Sequence, residues 1–165
     1  MKSCVYHLQL NVSNASVSLP FYRDMLTYLD YKIIDESKDH LGASNGTVDF
    51  WIIQTDKKHA KQMYHRKSTG LNHVAFKVSS KADVDLFCKE FLAKHKVTVL
   101  YGGAKEYPDY GEGYYAVFFE DHDRIKLEVA CKPISKFTHF SEWIFNNTGF
   151  VEYWAGKYAG YERTK

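Results

Sequence analysis

Val5-Tyr-His-Leu-Gln-Leu-Asn-Val12 returns later in the chain as Leu71-Asn-His-Val-Ala-Phe-Lys-Val78, with His7 and His73 in register at an offset of 66 (73 − 7). The offset persists through the next element, where Phe21 aligns with Phe87 and Leu26 with Leu92, and again where Lys32-Ile33-Ile34 aligns with Thr98-Val99-Leu100. A period this long, repeated once, predicts two copies of one supersecondary unit and not a solenoid. Two similar halves can enclose a site between them, and the duplicated histidine marks where to look.

Each half reads as strand, helix and three strands. In the first, Val5 to Val12 alternates as a strand, and Ser13 or Asn14 can cap a helix running to about Tyr28. Pro20 lies inside that pattern, so a start at Pro20, with proline in the first turn, is the other possibility. Short strands follow at Tyr31–Asp35, His40–Ser44 and Val48–Gln54, with Asn45-Gly46 as a hairpin turn. The second half runs through Leu71–Val78, a helix from about Lys81 to His95, then Val97–Tyr101, Tyr114–Glu120 and Ile125–Ala130. Asp121-His-Asp-Arg124 is expected to be a solvated turn, and the Gly- and Tyr-rich stretch Gly102 to Gly113 a rim or lid. The expectation is an α+β fold of two tandem βαβββ modules forming a curved, cup-shaped mixed sheet, with a C-terminal helical extension. As one domain over 1–165, it divides into module 1 at about 4–54, a linker at 55–69, module 2 at about 70–131 and the extension at 132–165.

Strand phase connects this layout to chemistry. Leu8, Leu10 and Val12 share the face that would pack on the helix, which leaves Val5, His7 and Gln9 on the other. By the same alternation His73, Ala75 and Lys77 oppose Val74, Phe76 and Val78, and Lys126, Glu128 and Ala130 oppose Ile125, Leu127 and Val129. A lone strand histidine is ordinarily a hydrogen-bonded structural residue. The in-register duplicate and the in-phase Glu128 favour the sharper reading, in which His7, His73 and Glu128 converge on a divalent metal with open positions. His40, His59, His65, His95, His122 and His139 have no such context and are expected at the surface.

These halves, with Gly70-Leu-Asn-His-Val-Ala-Phe76 and with Tyr114-Tyr-Ala-Val-Phe-Phe-Glu-Asp-His-Asp-Arg-Ile-Lys-Leu-Glu128, resemble the vicinal oxygen chelate superfamily over roughly residues 4–131. That superfamily includes glyoxalases, bleomycin-resistance proteins and extradiol dioxygenases. His122 and Arg124 replace the Pro and Gly of its usual Asp-Pro-Asp-Gly turn. The resemblance implies a metal-dependent enzyme in which Fe, Mn, Ni or Zn, held by His7, His73 and Glu128, binds two vicinal oxygens of a small molecule and stabilises an enediolate or oxyanion. Glyoxalase I members usually add a fourth ligand, a Glu, from the last strand of the first half. Here Trp51 occupies that register, or Phe50 if the strand shifts by one, and neither binds a metal. Three ligands is the count of the fosfomycin-modifying and extradiol dioxygenase branches. Substrate contacts are expected from Trp51, Tyr115 and Gln9, with Glu112 as a weak candidate for the general base. The competing class is a metal-free binding protein of the bleomycin-resistance type, whose members typically lack the triad.

The remaining sequence sets limits. Net charge of +2 over 165 residues, with acids and bases interspersed, gives no electrostatic case for a nucleic-acid partner. No apolar run suits a signal peptide or a membrane span, and Cys4, Cys88 and Cys131 form no CxxC pair, so reduced thiols in a cytoplasmic protein are expected. Phe137, Phe140, Trp143 and Ile144 recur at helical spacing before Asn146-Asn147-Thr148-Gly149, and Phe150, Tyr153, Trp154 and Tyr158 follow. So aromatic a tail should cover something, either the outside of the sheet or a cup or dimer seam. A homodimer is expected. Only one full His-His-Glu set exists per chain, so His7 of one chain is expected to join His73 and Glu128 of another, with a site inside one chain as the alternative.

Overall fold

The computed structural model describes residues 3–62 and 64–132, so the aromatic tail lies outside the described residues. Module 1 runs β1 (His7–Val12), α1 (Ala15–Tyr28), β2 (Lys32–Glu36), β3 (His40–Ser44) and β4 (Asp49–Gln54). Asn14 is the cap of α1: its side chain accepts from Ser16 N at 3.1 Å, and Gln54 Oε1 accepts from Ala15 N at 2.7 Å. The helix therefore starts five residues before Pro20, which sits inside it. A start at Pro20 is thereby corrected. The cap and the Gln54 contact secure the first turn, and Ala15, Ser18, Leu19 and Tyr22 bury one face through the proline.

Module 2 repeats the plan with β5 (Val74–Lys77), α2 (Lys81–Leu86), β6 (Thr98–Glu106), β7 (Tyr115–Glu120) and β8 (Lys126–Cys131). Ser80 caps α2, its Oγ accepting from Asp83 N and donating to Asp83 Oδ2. The helix continues through a π-helical stretch (Phe87–Leu92) into a last turn, α3 (Ala93–His95). The wider π turn accompanies a ring column, with Phe87 stacked on Phe91 at 4.9 Å and Phe91 on His95 at 4.2 Å. His95 is thus drawn inward and not at the surface, and burial lowers its pKa. β6 also departs from expectation. A bulge at Tyr101, Gly102 and Gly103 lets the strand resume, so Lys105 and Glu106 pair with Ala116 and Tyr115. Only the short turn around Pro108–Tyr110 and the residues up to β7 remain as loop.

The strands form two four-stranded sheets, ordered β1-β4-β3-β2 and β5-β8-β7-β6, each with a parallel pair (β1 with β4, β5 with β8) and antiparallel remainder. The helix-facing sides of both sheets feed one core. Phe50 lies 5.4 Å from Phe76, Phe21 5.7 Å from Phe91, and Tyr28 5.7 Å from Phe87 between ring centroids. Tyr22 adds a buried tie, donating its hydroxyl to Asp121 Oδ2 at 2.7 Å. Asp121, expected in a solvated turn, and Glu120 before it are both 6% exposed. Glu120 is paired with Arg66 of the linker, while Asp121 takes Tyr22 and the backbone N–H groups of Asp123 and Ile125.

The two modules therefore pack through their helical sides, and the other face of each sheet turns outward. β1 and β5, which carry or adjoin the duplicated histidines, are each one of the two edge strands of their sheet among the described residues. Cys4 is exposed, Cys88 half-buried and Cys131 buried, and all three are free. Among the described residues no helix is long and apolar enough to cross a membrane.

Candidate functional site

Strand phase follows the pattern read from the sequence. Leu10 and Val12 are core residues, so His7, Gln9 and Asn11 face away from the helices and are exposed. Phe50 and Ile52 are buried in the core, which puts Asp49, Trp51 and Ile53 on the same outer face. In parallel register His7 stands beside Asp49 and Gln9 beside Trp51. Trp51 lies across Gly42 of the neighbouring strand, where an added Cβ would come within 2.6 Å of its ring. Its indole needs the absence of a side chain there. Trp51 in β4 holds the place that Glu128 holds in β8, third residue of each strand (49 to 51 and 126 to 128).

The outer face of module 2 is more elaborate. Glu128 is only 2% exposed although it points away from the helices. Burial there comes from a second apolar cluster of Ala116, Phe118 and Ala130, with Leu100, Tyr107 and Tyr114 packed on it. The Tyr114 hydroxyl donates to Glu128 Oε1 at 2.7 Å, and His73 Nε2 stands 3.1 Å from Glu128 Oε2. Asn72 Oδ1 lies 2.8 Å from His73 Nδ1. Burial, followed by the Glu128 contact, raises the pKa of Tyr114, so it remains a proton donor throughout the neutral range.

This donor set fits a divalent cation. Asn72 Oδ1 is placed to accept from Nδ1, which leaves Nε2 facing Glu128 Oε2. Two electron-rich atoms that close together need a cation between them, either a shared proton or a metal. Two ligand atoms about 2.1 Å from one ion at ordinary ligand angles stand roughly 3.0–3.4 Å apart. The contacts from Asn72 and Tyr114 are of the kind that orient metal ligands from behind.

The third predicted ligand lies elsewhere. Among the described residues no three His, Cys, Asp or Glu side chains gather closely enough to hold a metal, so His7 is not beside His73 and Glu128 within the chain. Tyr115 is also not in the cup. Its hydroxyl donates to Asp85 of α2 at 2.8 Å, on the helical side, and Tyr114 is the tyrosine that lines the site. The signal was in the alternation: Tyr114 is in phase with Ala116 and Phe118, Tyr115 with the core residues Val117 and Phe119. Glu112 is exposed on the segment between the Pro108–Tyr110 turn and β7. A small cavity of about 190 Å³ is lined by Ala75, Lys77, Tyr114, Ala130 and Lys132 among others. Asn72, Tyr107, Phe118 and Lys126 were not singled out from the sequence.

Residues 5–129 match the Glyoxalase/Bleomycin resistance protein/Dioxygenase superfamily. The chain belongs to that superfamily. A Bacillus subtilis (strain 168) protein, uncharacterized YqjT, is 34% identical over 125 residues, covering 76% of this chain and 96% of that protein. A candidate glyoxalase from Bacillus halodurans has a crystal structure that superposes with a TM-score of 0.70 at 30% identity, covering 78% of this chain and 95% of that one. The fosfomycin resistance protein FosX from Listeria monocytogenes shares the fold at 18% identity, with a TM-score of 0.57 over 81% of this chain and 97% of its own. Superfamily membership accounts for the tandem modules.

Proposed function

We propose that this superfamily member is a divalent-metal-dependent enzyme that acts on a small molecule through two adjacent oxygen atoms. The observation that carries the reading is the His73–Glu128 pair, 3.1 Å apart and held from behind by Asn72 and Tyr114. His73 Nε2 and Glu128 Oε2 would supply two ligands, and His7 of a second copy the third. When bound, the ion would act as a Lewis acid on the substrate oxygens. Tyr114 would keep Glu128 aimed at the ion through its other oxygen, and Asn72 would keep Nε2 free of its proton. Trp51 and Gln9 would form the facing wall, and Glu112 is the candidate base.

The homodimer follows from the same argument. The helical faces of the modules are used up within the chain, whereas the outer strands β1 and β5 are open, and Val5 and Tyr6 ahead of β1 are 61% and 74% exposed. A cleft of about 860 Å³ between the modules, lined by Val5, Leu8, Phe50, Val74 and Phe76 among others, offers apolar surface beside both strands. Unpaired strand edges and apolar clefts favour association.

Metal titration tests the reading. Purified full-length protein should take up close to one Fe(II), Mn(II), Ni(II) or Zn(II) per chain at neutral pH. His73→Ala should weaken that binding at least about tenfold, since it removes a direct ligand. Failure to bind any of the four ions, or unchanged affinity in the variant, would overturn it. Metal-free protein that still bound a small molecule in the cup would support the sequestering class instead.

A further inference from the structure

Beyond His73 and Glu128 the outer face of module 2 carries two methyl groups where module 1 has longer side chains. Ala75 stands at the place of Gln9, an offset of 66 (75 − 9), as His73 stands at that of His7. Ala130 stands at the place of Ile53, an offset of 77 (130 − 53), as Glu128 stands at that of Trp51. Both alanines line the cavity of about 190 Å³, together with Lys77, Tyr114 and Lys132. At about 30 Å³ for each water molecule, that space holds a carboxylate group with water to spare.

Register sets the cavity one step from the two ligands. Ala75 follows His73 by two residues and Ala130 follows Glu128 by two, a rise of roughly 6.6 Å along a strand. Lys77 pairs with Ala130 in parallel register. Tyr114 joins the two places, since it lines the cavity and donates its hydroxyl to Glu128 Oε1 at 2.7 Å.

The rim is cationic. Lys77 and Lys132 are both exposed, and among the described residues the lysines held in ion pairs are Lys38, Lys58, Lys81 and Lys94. Lys132 reaches toward the turn before β7, where a Cβ added to Gly111 would lie 2.9 Å from its Nζ and 3.2 Å from its Cε. One ammonium thus comes from the β5 side and the other from the β7 side. Glu120 and Glu128, the acids on the outer face of β7 and β8, are already engaged, the first by Arg66 and Arg124 and the second by His73 and Tyr114. A lone exposed lysine needs no partner, but two on the rim of one hollow make its potential positive.

We infer that this cavity is a subsite for an anionic group of the substrate, a carboxylate set apart from the two adjacent oxygens and received between Lys77 and Lys132. The inference rests on the metal-site reading of the preceding subsection and adds to it the charge of the substrate and the place that receives it. Of two molecules with the same chelating end, the one with a distal carboxylate is selected.

The acids 2-oxoglutarate and 2-oxopentanoate make that comparison, because both offer a 2-oxo acid to a metal and only the first carries a second carboxylate. Calorimetric titration of Mn(II)-loaded full-length protein should give 2-oxoglutarate an affinity about tenfold higher, the worth of a hydrogen bond between charged groups. Lys77→Gln and Lys132→Gln should each reduce that preference, and the double variant should abolish it. Affinity for 2-oxopentanoate should change by no more than about threefold in the double variant, since solvent screens its chelating end from both lysines. A wild type that binds the two acids equally or not at all, a preference that survives in the double variant, or a loss of both acids alike would overturn the inference. If no Mn(II) binds, the metal reading falls by itself, and the same two acids titrated into metal-free protein decide. A preference for 2-oxoglutarate that the double variant abolishes then sustains the subsite, and equal or absent binding ends it.

Discussion

Asp121 shows how one side chain can couple the two modules and set a pH dependence. Three donors stabilise its charge: the Tyr22 hydroxyl and two backbone N–H groups. Burial outweighs them and raises its pKa from 3.8 to about 6. The folded protein therefore holds this proton to higher pH than the unfolded chain does. Between about pH 4 and 6 the unfolded state releases its proton first, so the group's contribution to stability falls as pH rises through that window and is level above it. Each pH unit of difference is worth about 1.4 kcal/mol, so the whole effect is on the order of 2–3 kcal/mol. Asp121→Asn removes the titration while keeping an acceptor for the two backbone groups. The stability of wild type relative to this variant, from urea unfolding at pH 4 and pH 7, should drop by that order. A difference that does not change with pH would mean that Asp121 keeps an ordinary carboxylate pKa. Sequence reading placed this residue in a solvated turn, because an acid between Glu120 and His122 carries no sign of the tyrosine 99 residues earlier that reaches it.

Elements were legible where side chains alternate and hidden where they do not. β1 and β4 bury residues toward the helices in alternation, and their outer faces carry His7 and Trp51 as alternation requires. β8, buried on both faces, still sets Glu128 opposite the core residues Leu127 and Val129. β7 is buried on both faces from Ala116 to Glu120, so apolar residues fill both phases and Tyr115 was taken for the cup residue in place of Tyr114. The bulge of β6 and the π stretch in the second helix insert residues without changing composition, which is why neither was foreseen. Register across strands yields a prediction of its own. Gly42 in β3 faces Trp51 in β4, and a methyl group there would sit 2.6 Å from Cζ3, 2.8 Å from Cη2 and 2.9 Å from Cε3 of the indole. Gly42→Ala must therefore push the ring off the sheet, with a cost of about 1–3 kcal/mol. In a Trp51→Ala background the same change should be nearly neutral. Chemical unfolding of the four proteins measures both costs, and an equal penalty in both backgrounds would show that the ring is not what the glycine accommodates.

At the scale of the whole molecule, the family and the repeat were readable from residues, but the way the halves meet was not. Strand alternation marks which face of each sheet is apolar but does not say which sides of the two modules meet. The choice is made by contacts far apart in sequence, such as Phe21 with Phe91 and Tyr22 with Asp121. The described chain packs its helical faces together. Its two outer faces then look away from the shared core, and the site proposed here is completed only when β1 of one copy lies beside β5 of another, which brings His7 to the partner's pair. A symmetric dimer would make two such sites. Mixing His7→Ala and Glu128→Ala chains after joint unfolding and refolding tests the arrangement through metal binding, with no substrate required. Each variant alone has no complete ligand set. In a mixed dimer one site combines the intact His7 of one chain with the intact His73 and Glu128 of the other, and the second site carries both lesions. Random pairing makes half the dimers mixed, so about a quarter of the wild-type tight-binding capacity should return. A site built inside one chain would return none, and sedimentation of the wild-type protein as a monomer at micromolar concentration would exclude the exchanged site altogether.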